Sequence, residues 1–341
     1  MAVTLQDIAN NTGLSVSTVS RALSTEKSPH AGEQTRRKVF AAAAKLGYRP
    51  NVSARALARG RSDNVALLLP ELDCIPYIHQ IETHLDELGL HVTPFASHWQ
   101  TEREAELLES LPARMLDAVI NLHYLAANKD VYQEHRRRGQ RLIFRVVEED
   151  IEDVPFDCIG VDVDKGVRVL IEHLHAQGYR RIGLLGGFGA TDVAAGRFDR
   201  GHARGYMQGH QAVGMPVETG RAVPCGAGMV EAYEAARKAL ASGRDDFDAF
   251  IVQSPDKLTG VIKAVQDAGL TIGRDMGLAT IGAEDEPVCS LYDVTTWAQP
   301  VYRVCKGLVS LLKNRLDDPE GPIHKIYYES TLVARSSSSR G

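Results

Sequence analysis

From Leu5 the apolar positions recur at a helical interval, with Leu5, Ile8 and Ala9 at i, i+3 and i+4. Thr4 precedes this stripe and Asp7 follows it by three positions, the capping-box spacing in which each side chain reaches the other residue's backbone N–H. NNTG closes the helix, with Gly13 free to take a positive φ. Leu14 then precedes Ser15, a second N-cap. Val19, Ala22 and Leu23 share the buried face of a second helix, which leaves Val16, Ser17, Ser20 and Arg21 on or near the open face. A third helix is expected from about Glu33 to Leu46, with Val39, Ala42, Ala43 and Leu46 at core spacing and Arg36, Arg37 and Lys38 outward. GYRP stops it. The next segment, NVSARALARGRSD, has helical potential but a single large aliphatic, Leu57, and is too short to hold a helix in water by itself.

At NVALLLP (64–70) the pattern changes to buried strand-like runs separated by helical stretches. The strand candidates are VALLLP, HVTPFA, DAVINL, RLIFRV, DCIGVD, RIGLLGG, AVPCG, AFIVQS and GLATIG, with IHQIETHLDELG and GVRVLIEHLHAQG among the helices between them. Such alternation builds βαβ units and parallel sheets covered on both faces. It restarts at RRIGLLGG, so two similar sheets are expected.

Two short helices joined by a tight glycine turn form a helix-turn-helix, whose second helix lies in the DNA major groove and reads bases with its N-terminal residues. LSVSTVSRALS, residues 14–24, holds five hydroxyl residues and no acid. Hydroxyls reach phosphate oxygens or base edges, and Val16 suits a thymine methyl. A helical hairpin packed for its own sake explains the apolar stripe but not the missing acids. Charge points the same way. The chain's net −5 divides into +7 over residues 1–61, where ten Lys/Arg face only Asp7, Glu26 and Glu33, and −12 over the rest. A basic head on an acidic body suggests that the head alone meets a polyanion.

The 341 residues and 44% apolar content suit a multidomain globular protein with a sizeable core. MAVTLQDIANNTG lacks the basic and apolar regions of a signal peptide, no run approaches a membrane span, and the five scattered cysteines form no CxxC pair. A cytoplasmic protein with reduced thiols and no membrane partner is expected. No catalytic set emerges. GGFGATD lacks the third glycine of a dinucleotide fingerprint, and His173 and His175, two apart, cannot share a helix face. HARGYMQGH has no partner acid at metal spacing, and neither HExxH nor GxSxG occurs. The chain is therefore not expected to be an enzyme or to hold a cofactor or metal.

VTLQDIANNTGLSVSTVSRALS, followed by TRRKVFAAAAKLGYRPNVSARALA, resembles the head of the lactose-repressor/galactose-repressor (LacI/GalR) family of bacterial transcription regulators. S-x-x-T-V-S-R at 15–21 and G-Y-x-P-N at 47–51 carry the likeness, and the body follows the family's order. The resemblance implies an all-α helix-turn-helix head with a hinge helix, then an α/β core of two doubly wound parallel-sheet lobes like those of periplasmic binding proteins. The implied domains are residues 1–50, a hinge and linker at 51–61, and a ligand-binding and dimerisation core at 62–341. Its first lobe spans about 62–161 plus 293–322, and its second about 162–292 plus 323–341, with three crossings between lobes. Val16 and Ser17 are implied to read bases, with Ser15, Thr18, Ser20 and Arg21 mainly on the DNA backbone. Thr4 and Asn51 complete the candidate DNA contacts with Leu57, the wedge of a hinge helix at 51–59 inserted in the minor groove.

The same likeness implies a ligand between the lobes, where open α/β sheets bind at the carboxyl ends of their strands. Here the fit is uneven. The arginine that usually precedes an aromatic by four positions is replaced: the aromatic is Tyr206, so the clamp position is His202, which Arg200 or Arg197 reaches only with a local register shift. Pro255 takes the expected acid position and displaces Asp256 by one, Glu284 stands where aspartate is usual, and Gln299 keeps the usual glutamine with Trp297 two residues before it. Tyr77 and Arg145 complete the candidate ligand set, with Trp99 and Phe188 as further stacking candidates.

The function implied is a sequence-specific transcription regulator, expected to repress. Its affinity for a palindromic double-stranded DNA operator would be controlled by a small carbohydrate or related metabolite. Two alternatives are a sugar-binding protein with a non-functional head and an enzyme tethered to DNA. ARSSSSRG is too short and polar for a tetramerising helix, which favours a homodimer.

Overall fold

A computed structural model of the protein describes residues 3–23, 32–49, 61–70, 74–111, 116–147, 149–199, 201–226, 228–242 and 246–340. The candidates Asn51, Leu57 and Arg200, and the hinge helix expected at 51–59, lie outside these residues. The chain divides into two compact units, Met1–Ser62 and Asp63–Gly341.

The first unit packs α1 (Leu5–Thr12), α2 (Val16–Leu23) and α3 (Glu33–Leu46) around one small core. Ile8, Val19, Ala22 and Val39 are fully buried there, with Ala9, Ala42 and Ala43 beside them. The capping box forms: Thr4 N donates to Asp7 Oδ2 at 2.8 Å and Asp7 N to Thr4 Oγ1 at 3.4 Å. The hydrogen bonds that Thr4 N and the Thr4 hydroxyl donate to it hold the Asp7 carboxyl below its ordinary pKa. Gly13 ends α1 at φ 68°, a left-handed conformation that glycine adopts without the usual Cβ penalty.

The second unit contains two six-stranded sheets. The first comprises β1 (Asn64–Leu69), β2 (His91–Ala96), β3 (Ala118–Asn121), β4 (Leu142–Val146), β5 (Asp157–Gly160) and β11 (Lys325–Tyr327), in the order β11-β5-β4-β3-β1-β2. The second comprises β6 (Ile182–Gly186), β7 (Ala222–Pro224), β8 (Ala249–Val252), β9 (Gly277–Ala283), β10 (Thr295–Gln299) and β12 (Thr331–Val333), in the order β12-β10-β9-β8-β6-β7. All neighbours are parallel except β12, which runs antiparallel to β10.

Both faces of the first sheet are covered. On one, Val65, Leu67, Ile143 and Ile159 pack with Ile81 and Leu85 of α4 (Ile75–Asp86) and Leu308 and Leu312 of α13 (Val301–Asp317). On the other, Leu68, Val119 and Phe144 meet Leu108 of α5 (Thr101–Ser110) and Tyr132 of α6 (Lys129–Arg137). The second sheet is covered by α7 (Val163–Ala176), α8 (Phe188–Ala194) and α9 (Gly201–Ala212) on one face, and by α10 (Met229–Ser242) and α11 (Leu258–Asp267) on the other. Fully burying one Leu or Ile contributes roughly 1.5–3 kcal/mol, so these layers supply the stability that the short strands lack.

The expected lobe boundaries need correction. Residues 293–322 do not all belong to the first lobe, because β10 pairs with β9 in the second sheet. Residues 323–341 do not all belong to the second, because β11 pairs with β5 in the first. The three crossings follow β5, β10 and β11. β10 escapes a hydrophobicity reading because its buried residues include Thr295 and Thr296. Their hydroxyls are satisfied: Thr295 Oγ1 donates to Arg335 O at 3.1 Å and Thr296 Oγ1 to Val294 O at 2.9 Å. The serine run that reads as a polar tail is built in, with Ser337 and Ser338 buried. Ser337 Oγ donates to Leu278 O at 2.6 Å, and Arg340 Nη1 donates to Gly178 O at 2.8 Å.

Candidate functional site

Helix α2 separates its residues by face. Val19 and Ala22 are buried, while Ser15, Val16, Ser17, Ser20 and Arg21 are exposed and Thr18 is half-buried. Ser15 acts as N-cap, its Oγ accepting from Thr18 N at 3.2 Å, and its hydroxyl also pairs with those of Ser17 (2.9 Å) and Thr18 (2.8 Å). Arg21 Nε donates to Ser17 O at 3.2 Å, which lays the guanidinium along the open face. Thr4 is exposed and its hydroxyl is engaged by Asp7 Oδ2 at 2.8 Å. The result is a surface of hydroxyls, one exposed valine and one cation, with no carboxylate on α2. Hydroxyls and arginine match phosphate oxygens and base edges.

In the second unit, contacts between the lobes join residues at the carboxyl ends of the strands. Gln299, the last residue of β10, reaches into the first lobe: its Oε1 accepts from Tyr77 Oη at 3.0 Å and from Arg145 Nη2 at 3.1 Å. The Arg145 guanidinium lies 4.8 Å from the centre of the Tyr77 ring. Burial pushes the Tyr77 hydroxyl up to about 12, against the opposing pull of the Arg145 charge. Trp99, after β2, lies 5.0 Å from His123 after β3, and 4.8 Å from Phe188 at the start of α8 in the other lobe. His98 and Trp99 take φ of 53° and 59°, values uncommon outside glycine, and the strained turn presents Trp99 41% exposed.

Other expected ligand residues lie elsewhere. Trp297 is 4% exposed, its Nε1 donates to Asp162 O at 3.2 Å, and a Cβ on Gly166 would come within 2.4 Å of its ring. It is core, not a stacking platform, because β10 is an inner strand that points it into α7. Glu284 and Gln299 do not face each other across the cleft. They end neighbouring strands, with Glu284 N donating to Gln299 O at 3.1 Å. The Glu284 carboxylate instead lies 3.8 Å from Arg303 on α13. Asp256 pairs with the buried Lys257 at 2.8 Å. His202 is half-buried at the start of α9, where its Cβ closes on Gly189. Arg197, the other alternative there, pairs with Asp192 at 2.5 Å.

Comparison with known proteins agrees with both units. Residues 4–51 match the model of bacterial regulatory proteins of the lacI family, and residues 171–338 match that of a periplasmic binding protein-like domain. The chain thus joins a lacI-family head to a periplasmic binding protein-like domain. It is 26% identical to the HTH-type transcriptional regulator PtxS of Pseudomonas plecoglossicida, an alignment covering 98% of this chain and 96% of that protein. Its fold is similar to the lac repressor dimer bound to operator and the anti-inducer ONPF (TM-score 0.74, 21% identity, 99% of each chain). It is likewise similar to a complex of the transcriptional regulator CelR with cellobiose (TM-score 0.64, 21% identity, 98% of this chain and 99% of that one). With a lacI-family head, the chain is a DNA-binding transcriptional regulator, and the relatives it matches are regulators rather than enzymes.

Sequence reasoning missed a buried group behind the regulator's cleft. Glu104 of α5 is 2% exposed, and its Oε1 accepts from Asn128 Nδ2 at 3.2 Å and from the Tyr132 hydroxyl. Burial holds its carboxyl above the ordinary range. The only sequence signal was an acid at an inward position of TEREAELLES, weak without the fold.

Proposed function

We propose that this protein is a cytoplasmic, homodimeric repressor whose affinity for a palindromic operator is set by a small carbohydrate or related metabolite held between the lobes of its core. The observation that carries the reading is the acid-free outer face of α2, with Val16, Ser17, Ser20 and Arg21 exposed over buried Val19 and Ala22. Val16 and Ser17 are assigned to bases, and Ser15, Thr18, Ser20 and Arg21 to the backbone, with Thr4, Asn51 and Leu57 as further contacts. The proposed domains are residues 1–50, a hinge at 51–61, and a core from 62. The cytoplasmic assignment agrees with the described residues, where no helix is long and apolar enough to cross a membrane.

The carbohydrate reading draws support from the cellobiose complex of CelR and from the facing carboxyl edges of the two sheets. A ligand shifts an equilibrium only by binding two states unequally, and the two lobes provide an open and a closed state. Coupling of about 1–3 kcal/mol, roughly 5- to 150-fold in operator affinity, is typical.

Electrophoretic mobility shift with a pool of palindromic duplexes tests the DNA half. Selective retardation, with affinity falling steeply as salt rises, is expected because neutralised phosphates release counterions. Equal affinity for every duplex would remove the sequence-specific role.

A further inference from the structure

Arg145 stands apart from the other cations at the carboxyl edges of the sheets. Lys257 pairs with Asp256, Arg197 with Asp192, and Arg303 with Glu284. Among the described residues Arg145 has no carboxylate within ion-pair distance. Its guanidinium carries five N–H donors. One meets Gln299 Oε1 at 3.1 Å and one meets Leu122 O at a long 3.4 Å. Its Nε is buried without a hydrogen-bond partner. The Tyr77 ring stabilises the charge from one side without neutralising it. A half-buried guanidinium with unused donors calls for an anion, and its planar fork suits a carboxylate or phosphate held by two parallel bonds.

Charge on the other lobe is of opposite sign. Asp256, Asp285 and Glu286 lie close enough that the first two raise the Glu286 pKa, although burial raises it more. Glu284 adds a further carboxylate just after β9, and among the described residues Lys257 and Arg303 pair with members of this group. An anionic group is repelled there and drawn to Arg145, whereas the acids accept hydrogen bonds from hydroxyls.

We propose that the effector is an anionic sugar, a polyhydroxylated molecule bearing a carboxylate or phosphate, with its acidic group on Arg145 and its hydroxyls toward the second lobe. Trp99 and Phe188, exposed and touching across the lobes, provide apolar faces for the C–H side of its body. Gln299 holds Arg145 in place and is a positioning residue. This inference rests on the carbohydrate reading above and narrows its ligand class.

The test is a thermal-shift titration of the full chain with matched neutral and anionic sugars: glucose with gluconate, glucuronate and glucose 6-phosphate, and galactose with galactonate and galacturonate. At least one anionic member is expected to raise Tm in a concentration-dependent way that its neutral twin does not match. The carboxylate and phosphate arms separate the two forms of acid. Calorimetry on Arg145→Gln should then show affinity for that ligand falling about 30-fold or more, with partial rescue in Arg145→Lys. Ligand-free Tm and circular dichroism report whether the variants fold. If they do not, the wild-type panel decides alone. A neutral sugar binding as tightly as its acid overturns the anion and leaves the carbohydrate reading standing, as does unchanged anion affinity in a folded Arg145→Gln. A panel in which no sugar binds overturns both.

Discussion

The side-chain hydrogen bonds described in the head close within about one helical turn, whereas those that Gln299 makes in the cleft span a large part of the chain. Ser15 reaches Thr18 and Thr4 reaches Asp7, each three residues away. Tyr77 and Gln299 are 222 residues apart, and Arg145 and Gln299 are 154 apart. A change on the outer face of α2 therefore alters what the head offers to DNA and little else. A change at Gln299 disturbs two lobes together. Among the described residues, the head's three-helix core is built from positions up to Tyr48 alone. The cleft has no such independence.

The strongest way to break this contrast is through the head's core. Ile8→Ala should cost about 2–5 kcal/mol, which a core this small cannot absorb. Operator binding should vanish while the main calorimetric transition of the body stays in place, and a matching fall in the body's transition would join the two units. Arg21→Ala comes next. Loss of a phosphate contact should weaken binding to all duplexes roughly alike and lower the salt slope by about one per head. Unchanged operator affinity would take Arg21 off the DNA.

Gln299→Ala tests the long-range half. It removes the acceptor shared by Tyr77 and Arg145, at a cost of about 1–3 kcal/mol, lowering the body's Tm and leaving the head's fold unaffected. A body Tm equal to wild type would mean that the shared acceptor contributes nothing to the lobe contact. The smallest effect is expected at Glu104. Its carboxyl is held above the ordinary 4.5, so the folded protein binds the proton more tightly than the unfolded chain. Its contribution to stability is therefore greatest below the ordinary value and declines as pH rises through the raised one. Glu104→Gln, which keeps an acceptor for Tyr132 and Asn128, should melt higher than wild type at pH 8, the advantage shrinking toward pH 4. A pH-independent difference would exclude titration as its cause.

Legibility in the sequence follows the same division. The head's helices and exposed face were readable because period, caps and charge all act within a few residues. In the body nine strands showed as apolar runs, but β10, β11 and β12 did not: β10 buries threonines, and the other two are three-residue edge strands. Trp297 read as a cleft aromatic because its place on an inner strand was invisible. The expected lobe bounds put Glu284 and Gln299 in different lobes because the second crossing was set too early. Arg145 was identifiable as a candidate, but that no carboxylate among the described residues pairs with it is a fact about space.

The strands that complete each sheet have a consequence for synthesis. A ribosome delivers the chain in order, and at about 5–20 residues/s the interval between β5 and its neighbour β11 is on the order of ten seconds or more. Throughout that interval β5 presents a bare edge, a template for pairing with another nascent chain. The second sheet is the last to be completed, when β12 and the serines that plug its far end have emerged. Among the described residues the head's core ends at Tyr48, so this core can fold while the body that follows it is still unfinished.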